Sequence, residues 1–171
     1  MRHHINLLED EKIVQFQNIA QSWFDIIMGL PADIRQDDKE RPGISVLIME
    51  PDTRNILTFH VGKPSMAADY FRIEKAVRSY LFQDASSGNS ANPSLFRFPG
   101  SFTVCFDGVI LQASVSGAKG EEDAFISAML LASAFNRKVD AVLRNIKNAK
   151  GEIPPQFFQK DHYLNILLNS W

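Results

Sequence analysis

The sequence predicts an α/β (α+β) fold: an antiparallel sheet of two hairpins with flanking helices. Three observations carry that expectation. Alternating apolar runs flank Asp107-Gly108, a second pair of apolar runs flanks Pro51-Asp52-Thr53-Arg54, and stretches at helical spacing precede, separate and follow these pairs. The order helix, two strands, helix, two strands, helix suits helices layered on an antiparallel sheet, not parallel β-α-β crossovers.

In chain order, Glu9 to Met28 places Ile13, Phe16, Ala20, Trp23, Phe24 and Ile27 on one side of a helix and Lys12, Gln15, Asn18, Ser22 and Asp25 on the other. Gly29 and Pro31 end it. Ala32 to Pro42 is charged enough to be read as a solvated loop; the Asp37 and Glu40 carboxylates have a spacing that could touch a surface metal ion, but solvation is the simpler reading. Ile44 to Met49 and Asn55 to Val61 form the first hairpin, since Pro, Asp and Thr are turn residues.

Pro64-Ser65 opens a helix reaching Phe82, with Met66, Tyr70, Ile73, Val77 and Leu81 on one face and Arg72, Glu74, Lys75 and Arg78 on others. Glu74 and Arg78 make a favourable i,i+4 pair, and this charged side is expected to meet solvent. Gln83 to Pro99 is rich in Ser, Asn, Ala and Gly yet contains Leu95, Phe96 and Phe98. A connection this long is either mobile or a lid over a pocket.

Asp107-Gly108 favours a two-residue type I′ turn, which sets Phe106 opposite Val109, Val104 opposite Leu111 and Phe102 opposite Ala113. The other side of this hairpin carries Ser101, Thr103, Cys105, Ile110, Gln112 and Ser114, suited to solvent, a second layer or a ligand. Glu121-Glu122-Asp123 then starts a helix, because acids are favoured at a helix N-terminus. That helix is apolar on several sides, with Ile126, Leu130 and Leu131 off the stripe of Phe125, Ala128, Met129, Ala132 and Phe135. Such a helix is normally covered on more than one side. Arg137 to Lys150 reads as another helix with Val139, Val142, Leu143 and Ile146 inward, and the apolar residues from Phe157 to Trp171 must also be buried, on this domain or on a neighbour.

Composition narrows the function classes. The 171 residues, 45% hydrophobic with 13 Phe, suit one domain over 1–171, with a core over about 9–136 and a helical extension over about 137–171. A net charge of −2 gives no general attraction to nucleic acid. The single Cys105 excludes an internal disulfide and is read as a buried, inert thiol. No apolar leader follows Met1, and no run reaches membrane-spanning length, so a cytoplasmic protein is expected. His3 and His4 are read as disordered, not as ligands. A phosphate loop, a nucleophile elbow, a His-Glu-x-x-His motif and paired zinc-type cysteines are all missing, so no enzyme is supported.

The stretch VSGAKGEEDAFISAMLLASAF resembles the closing motif of the GlcG/HbpS family, often called haem-degrading domains. Val115-Ser116-Gly117 and Asp123 are its clearest points, with the closest similarity from about Asp107 to Ala134 and a weaker one from Ile44 to Phe82, where Lys75-Ala76 matches a Lys-Ala pair. The resemblance implies a profilin/PAS-like arrangement, a homo-oligomer and a small-molecule or haem ligand. Two departures stand beside it. Gln112 and Ser114 replace family glycines, and Arg78 stands where the family has Thr. Two function classes therefore remain: a small-molecule or haem-binding protein, and a non-catalytic interaction module that kept the fold and lost the pocket.

For the first class, the ligand-binding candidates are Lys75, His60, Phe96, Phe98, Gly117 and Asp123. His60 is the only mid-chain imidazole for an axial bond, although a lone strand histidine is more often a hydrogen-bonded structural residue. Lys75 offers a cation for a carboxylate, and Phe96 or Phe98 could cover a ring. Self-association is expected through the helix from Glu121 or through the Phe157 to Trp171 tail.

Overall fold

The computed structural model describes residues 5–7 and 9–170, so His3, His4 and Trp171 lie outside the described residues. Helix α1 (Asp10–Met28) is followed by the short α2 (Ala32–Arg35), the hairpin β1 (Gly43–Glu50) and β2 (Asn55–Gly62), and helix α3 (Met66–Phe82). The hairpin β3 (Ser101–Phe106) and β4 (Val109–Ser116) comes next, then α4 (Gly120–Ala134), α5 (Val139–Asn148) and α6 (Tyr163–Asn169). The strands form one antiparallel sheet in the order β2-β1-β4-β3. The expected fold class is thus the observed one.

The second hairpin has the expected register, Phe106 opposite Val109, Val104 opposite Leu111 and Phe102 opposite Ala113. Its turn residues Asp107 and Gly108 both have positive φ, 52° and 79°, as a type I′ turn requires. Alternation then sorts each strand onto two faces. Ile44, Val46, Ile48, Leu57, Phe59, Val61, Phe102, Val104, Leu111, Ala113 and Val115 join one core with α1, α4 and α5. Trp23 meets Phe125 edge-on at 5.0 Å between ring centroids, and Phe125 meets Phe157 at 6.0 Å.

The apolar circumference of α4 is covered within the chain. The sheet lies on one side, α1 and α5 on others, and Phe125, Ile126, Leu130 and Leu131 are all fully buried. The reason for expecting self-association through this helix is therefore met inside the protomer. The tail is anchored by the buried Phe157, Tyr163, Leu164 and Leu168, while Phe158 and Ile166 stay exposed.

Helix α3 reverses its expected orientation. Met66, Tyr70, Ile73, Val77 and Leu81 face solvent, Met66 at 90% exposure, while Lys75, Arg78 and Ser79 are buried. The cause is the other face of the sheet. Ser45, Ser101, Gln112, Ser114 and Ser116 form a buried polar surface there, and a buried polar surface needs hydrogen-bonding partners, not an apolar stripe. Arg72 donates to Val46 O at 2.9 Å, Ser114 to Arg72 O at 2.7 Å and Gln112 Nε2 to Ala76 O at 3.1 Å. The mixed face of the second hairpin thus meets a second layer.

Arg78 also organises the connection over residues 83–99. Its guanidinium donates to Ser87 O at 2.6 Å, Ser90 Oγ at 2.8 Å and Phe98 O at 2.8 Å, and pairs with Glu74 at 2.6 Å. Two 3₁₀ turns, Ser87–Ser90 and Pro93–Leu95, shape the segment, and Ser86 bridges to Phe102. It is a tied-down connection whose backbone polar groups hold a buried arginine.

The charged 32–42 segment is likewise not fully solvated. Arg35 is buried and clamps Glu122 with two bonds of 2.9 Å, while Tyr163 donates to the same carboxylate at 2.8 Å. Burial and the neighbouring Glu122 charge push the Tyr163 hydroxyl well above its usual range. Removing one partner of such a pair leaves an uncompensated buried charge. We expect Arg35→Met to cost about 3–5 kcal/mol in urea unfolding, whereas Arg41→Met, whose partner Asp37 lies at 3.0 Å in a partly solvated pair, should cost less than about 1 kcal/mol. Equal losses would show that the Arg35 clamp is not a buried anchor.

Candidate functional site

Four of the expected site residues converge. Lys75, Phe98, Gly117 and Asp123 line one cavity of about 500 Å³ between the N-terminal half of α3 and the turn joining β4 to α4. The two ionisable ones are paired. Lys75, 1% exposed, donates to Asp123 Oδ2 at 2.9 Å and to Val115 O at 2.8 Å. The second oxygen of Asp123 accepts the Ala118 N–H at 3.0 Å. Lys75 is thus a buried structural cation at the floor of the cavity, and its ammonium is already committed.

Two glycines make this approach possible. Gly117 has φ +133°, and a Cβ there would stand 2.4 Å from Gly43 O. Gly100 also has φ +133°, and a Cβ there would fall 2.7 Å from Lys75 Nζ. A side chain at Gly100 would push the backbone off the ion pair, and one at Gly117 would push the turn off the start of β1. Gly100 was not singled out by the sequence, because its role depends on a lysine 25 positions away.

Phe98 and Phe71 form the apolar wall, their rings edge to face at 5.3 Å. Lys39, Arg41 and Lys119 supply the cationic rim. Arg41 is engaged by Asp37 at 3.0 Å, and Lys119 Nζ bonds Arg35 O and Glu121, each at 2.8 Å. The Lys39 ammonium has no partner among the described residues. Phe71, Lys39, Arg41 and Lys119 were missed by the sequence reading. Their only local signal is the basic residues of the 32–42 segment and the lysine within the V-S-G-A-K turn, and the fold alone brings the two together.

His60 and Phe96 do not line this cavity. His60 is exposed on β2, its Nε2 2.8 Å from Asp69 Oδ1, and Ser45 donates to the same oxygen. Hydrogen bonds from Ser45 and then from His60 hold the Asp69 carboxyl below its usual range. Serine and histidine bond one carboxylate here, which is not the relay of a catalytic triad. Phe96 is exposed at the end of the second 3₁₀ turn. Cys105, expected to be buried, is also exposed: β3 is an edge strand, and both backbone groups of Cys105 pair with the Asn145 side chain, at 3.1 and 2.7 Å. No group of three or more metal-ligating side chains occurs among the described residues.

Burial pushes the Asp123 carboxyl up, with Lys75 and the Ala118 N–H opposing it. A raised carboxyl stabilises the fold at low pH and ceases to do so as pH rises through its folded value. Lys75→Met removes the main opposing charge and raises Asp123 further. At pH 8 the variant should lose about 3–5 kcal/mol in urea unfolding, and the deficit should shrink as pH falls into the acid range and the raised carboxyl takes up its proton. Lys75→Met/Asp123→Asn should lack that pH dependence. A deficit constant over this range would exclude the Asp123 carboxylate as its origin.

No family model matches the sequence, and no curated protein matches it. Among solved structures, a PduOC:heme complex is similar over 74% of this chain and 94% of its own, at 16% identity and a TM-score of 0.51. The Klebsiella pneumoniae protein ORFY, of DUF336, is similar over 72% of this chain and 88% of its own, at 13% identity and a TM-score of 0.49. At the level of fold, the GlcG/HbpS-like resemblance seen in the V-S-G turn and the Lys75-Ala76 pair is matched: the chain has the architecture found in the PduOC:heme complex.

Proposed function

We propose that the chain binds a small anionic ligand with a planar or aromatic body in the Lys39–Phe71–Phe98 cavity, haem being the member of that class found with the structural neighbour. The observation that carries this reading is the pairing, in about 500 Å³, of an uncommitted Lys39 ammonium with the Phe71–Phe98 wall. That volume lies within the roughly 300–1,000 Å³ of small-molecule sites. The donor set suits the carboxylates and rings of such a ligand. Among the described lining residues there is no His, Cys, Met or Tyr, so haem held by them would rest on carboxylate and ring contacts without an axial imidazole.

Haemin titration of the full chain tests this. We expect a saturable Soret change that weakens by about tenfold in Lys39→Ala, the loss of one charge-assisted bond, and that His60→Ala leaves unaltered. Unsaturable uptake, or loss of binding in His60→Ala alone, would sink the assignment to this cavity.

A second reading, an interaction module, is favoured by the outward stripe of Met66, Tyr70, Ile73, Val77 and Leu81 on α3. The five residues carry no charge, and Glu74 and Arg78 beside them are paired with each other, so two copies could pack the stripe symmetrically with little like-charge repulsion. In this reading the homo-oligomer, expected from the sequence through α4 or the Phe157 to Trp171 tail, would form through α3 instead. Sedimentation at tens of micromolar, a range in which specific homodimers persist, should show a dimer that Val77→Glu/Leu81→Glu converts to a monomer. A wild-type monomer would remove this reading.

A further inference from the structure

A second cavity, about 570 Å³, lies at the other end of α3. Its walls are the last turns of α3, the outer side of β3 and β4, and Asn145 and Ala149 at the end of α5. The chemistry differs from that of the first cavity. Among the described residues no Lys, Arg or His lines it, and the one charged side chain is Asp84. Leu81 and Ile110 supply apolar surface. Anions are disfavoured here, and a neutral, mainly apolar occupant is favoured.

Two polar atoms mark where such an occupant would be held. Ser79 Oγ and Gln112 Oε1 lie just beneath the cavity wall without a hydrogen-bond partner among the described residues, and both residues line the cavity, each only 1% exposed. Buried side-chain polar atoms are normally satisfied, so two vacancies beside one cavity need a reason. The orientation of the Gln112 amide is determined by its neighbours. Its Nε2 donates to Ala76 O at 3.1 Å and to Ser101 Oγ at 3.3 Å, and a backbone carbonyl can only accept. Oε1 is therefore the open position, and it asks for a donor.

We propose that this cavity is a separate binding site for a neutral one- or two-ring molecule whose O–H or N–H donates to Gln112 Oε1, with the Ser79 hydroxyl as a second polar contact. Cys105 lines the same cavity and is exposed, and it is the chain's only cysteine. Its thiol therefore reports occupancy from within the site.

Three isosteric probes separate the contributions: naphthol, a neutral donor; methoxynaphthalene, neutral without a donor; and naphthoate, an anion. Calorimetry and the rate at which an aromatic disulfide reagent modifies Cys105 are measured on the full chain. Naphthol should saturate and slow Cys105 modification. Methoxynaphthalene should bind about tenfold more weakly, the worth of one hydrogen bond to a buried acceptor, and naphthoate should give no protection. Gln112→Leu should reduce naphthol to the affinity of methoxynaphthalene while the protein still melts cooperatively. Should that variant fail to fold, Ile110→Trp, placed on the cavity wall at a half-buried position, should abolish protection by naphthol. Equal protection by all three probes, protection by none, or an unchanged naphthol affinity in both variants overturns the proposal.

Discussion

The buried pair of Lys75 and Asp123 is the interaction on which the arrangement around the sheet depends. Taking both charges out of water is costly, and the cost is offset only because Val115 O and the Ala118 N–H complete their hydrogen bonding. Those two backbone groups sit on either side of the V-S-G turn. The pair therefore ties the middle of α3 to the exit of β4 and the start of α4, and it does so only where Gly100 and Gly117 let backbone come close. Moving the pair would move the turn, the helix start and the wall of the first cavity together.

From that pair follows the orientation of α3. A helix that must send Lys75, Arg72 and Arg78 inward has its Met66, Tyr70, Ile73, Val77 and Leu81 stripe directed outward, since the two sets occupy opposite sides of the same cylinder. The sheet is thus used in two different ways. Its apolar side is sealed by α1, α4 and α5 into the core, where packing supplies the stability. Its polar side is joined to α3 by directed hydrogen bonds, which specify position more strictly than apolar contact does.

Both cavities arise on this polar side, one at each end of α3. The N-terminal one has a cationic rim because the 32–42 segment and the β4–α4 turn meet there through Arg35, Lys119 and Glu122. Among the described residues the C-terminal one has Asp84 as its charged side chain, and Gln112 leaves an unpartnered acceptor beside it.

Much of the fold was legible in the sequence because local rules govern it. Asp107-Gly108 determined the turn type, and alternation from Phe102 to Val115 determined which side of the second hairpin faces the core, since a one-residue slip would reverse every side chain. Helical spacing placed α1 and α5 with the correct inward residues. Lys75, Gly117 and Asp123 were legible as a group only through the resemblance, and the tertiary structure gave them a shared location and a structural role. What only the tertiary structure decided was the direction of α3, the burial of Arg35 and Arg78, and the exposure of Cys105. In each case the deciding partner lies far away in the chain: Glu122 for Arg35, the carbonyls of Ser87 and Phe98 for Arg78, the edge position of β3 for Cys105. Hydrophobic periodicity records how apolar a helix face is, but which face turns inward is settled by the surface it meets, and here that surface is a layer of serines and a glutamine.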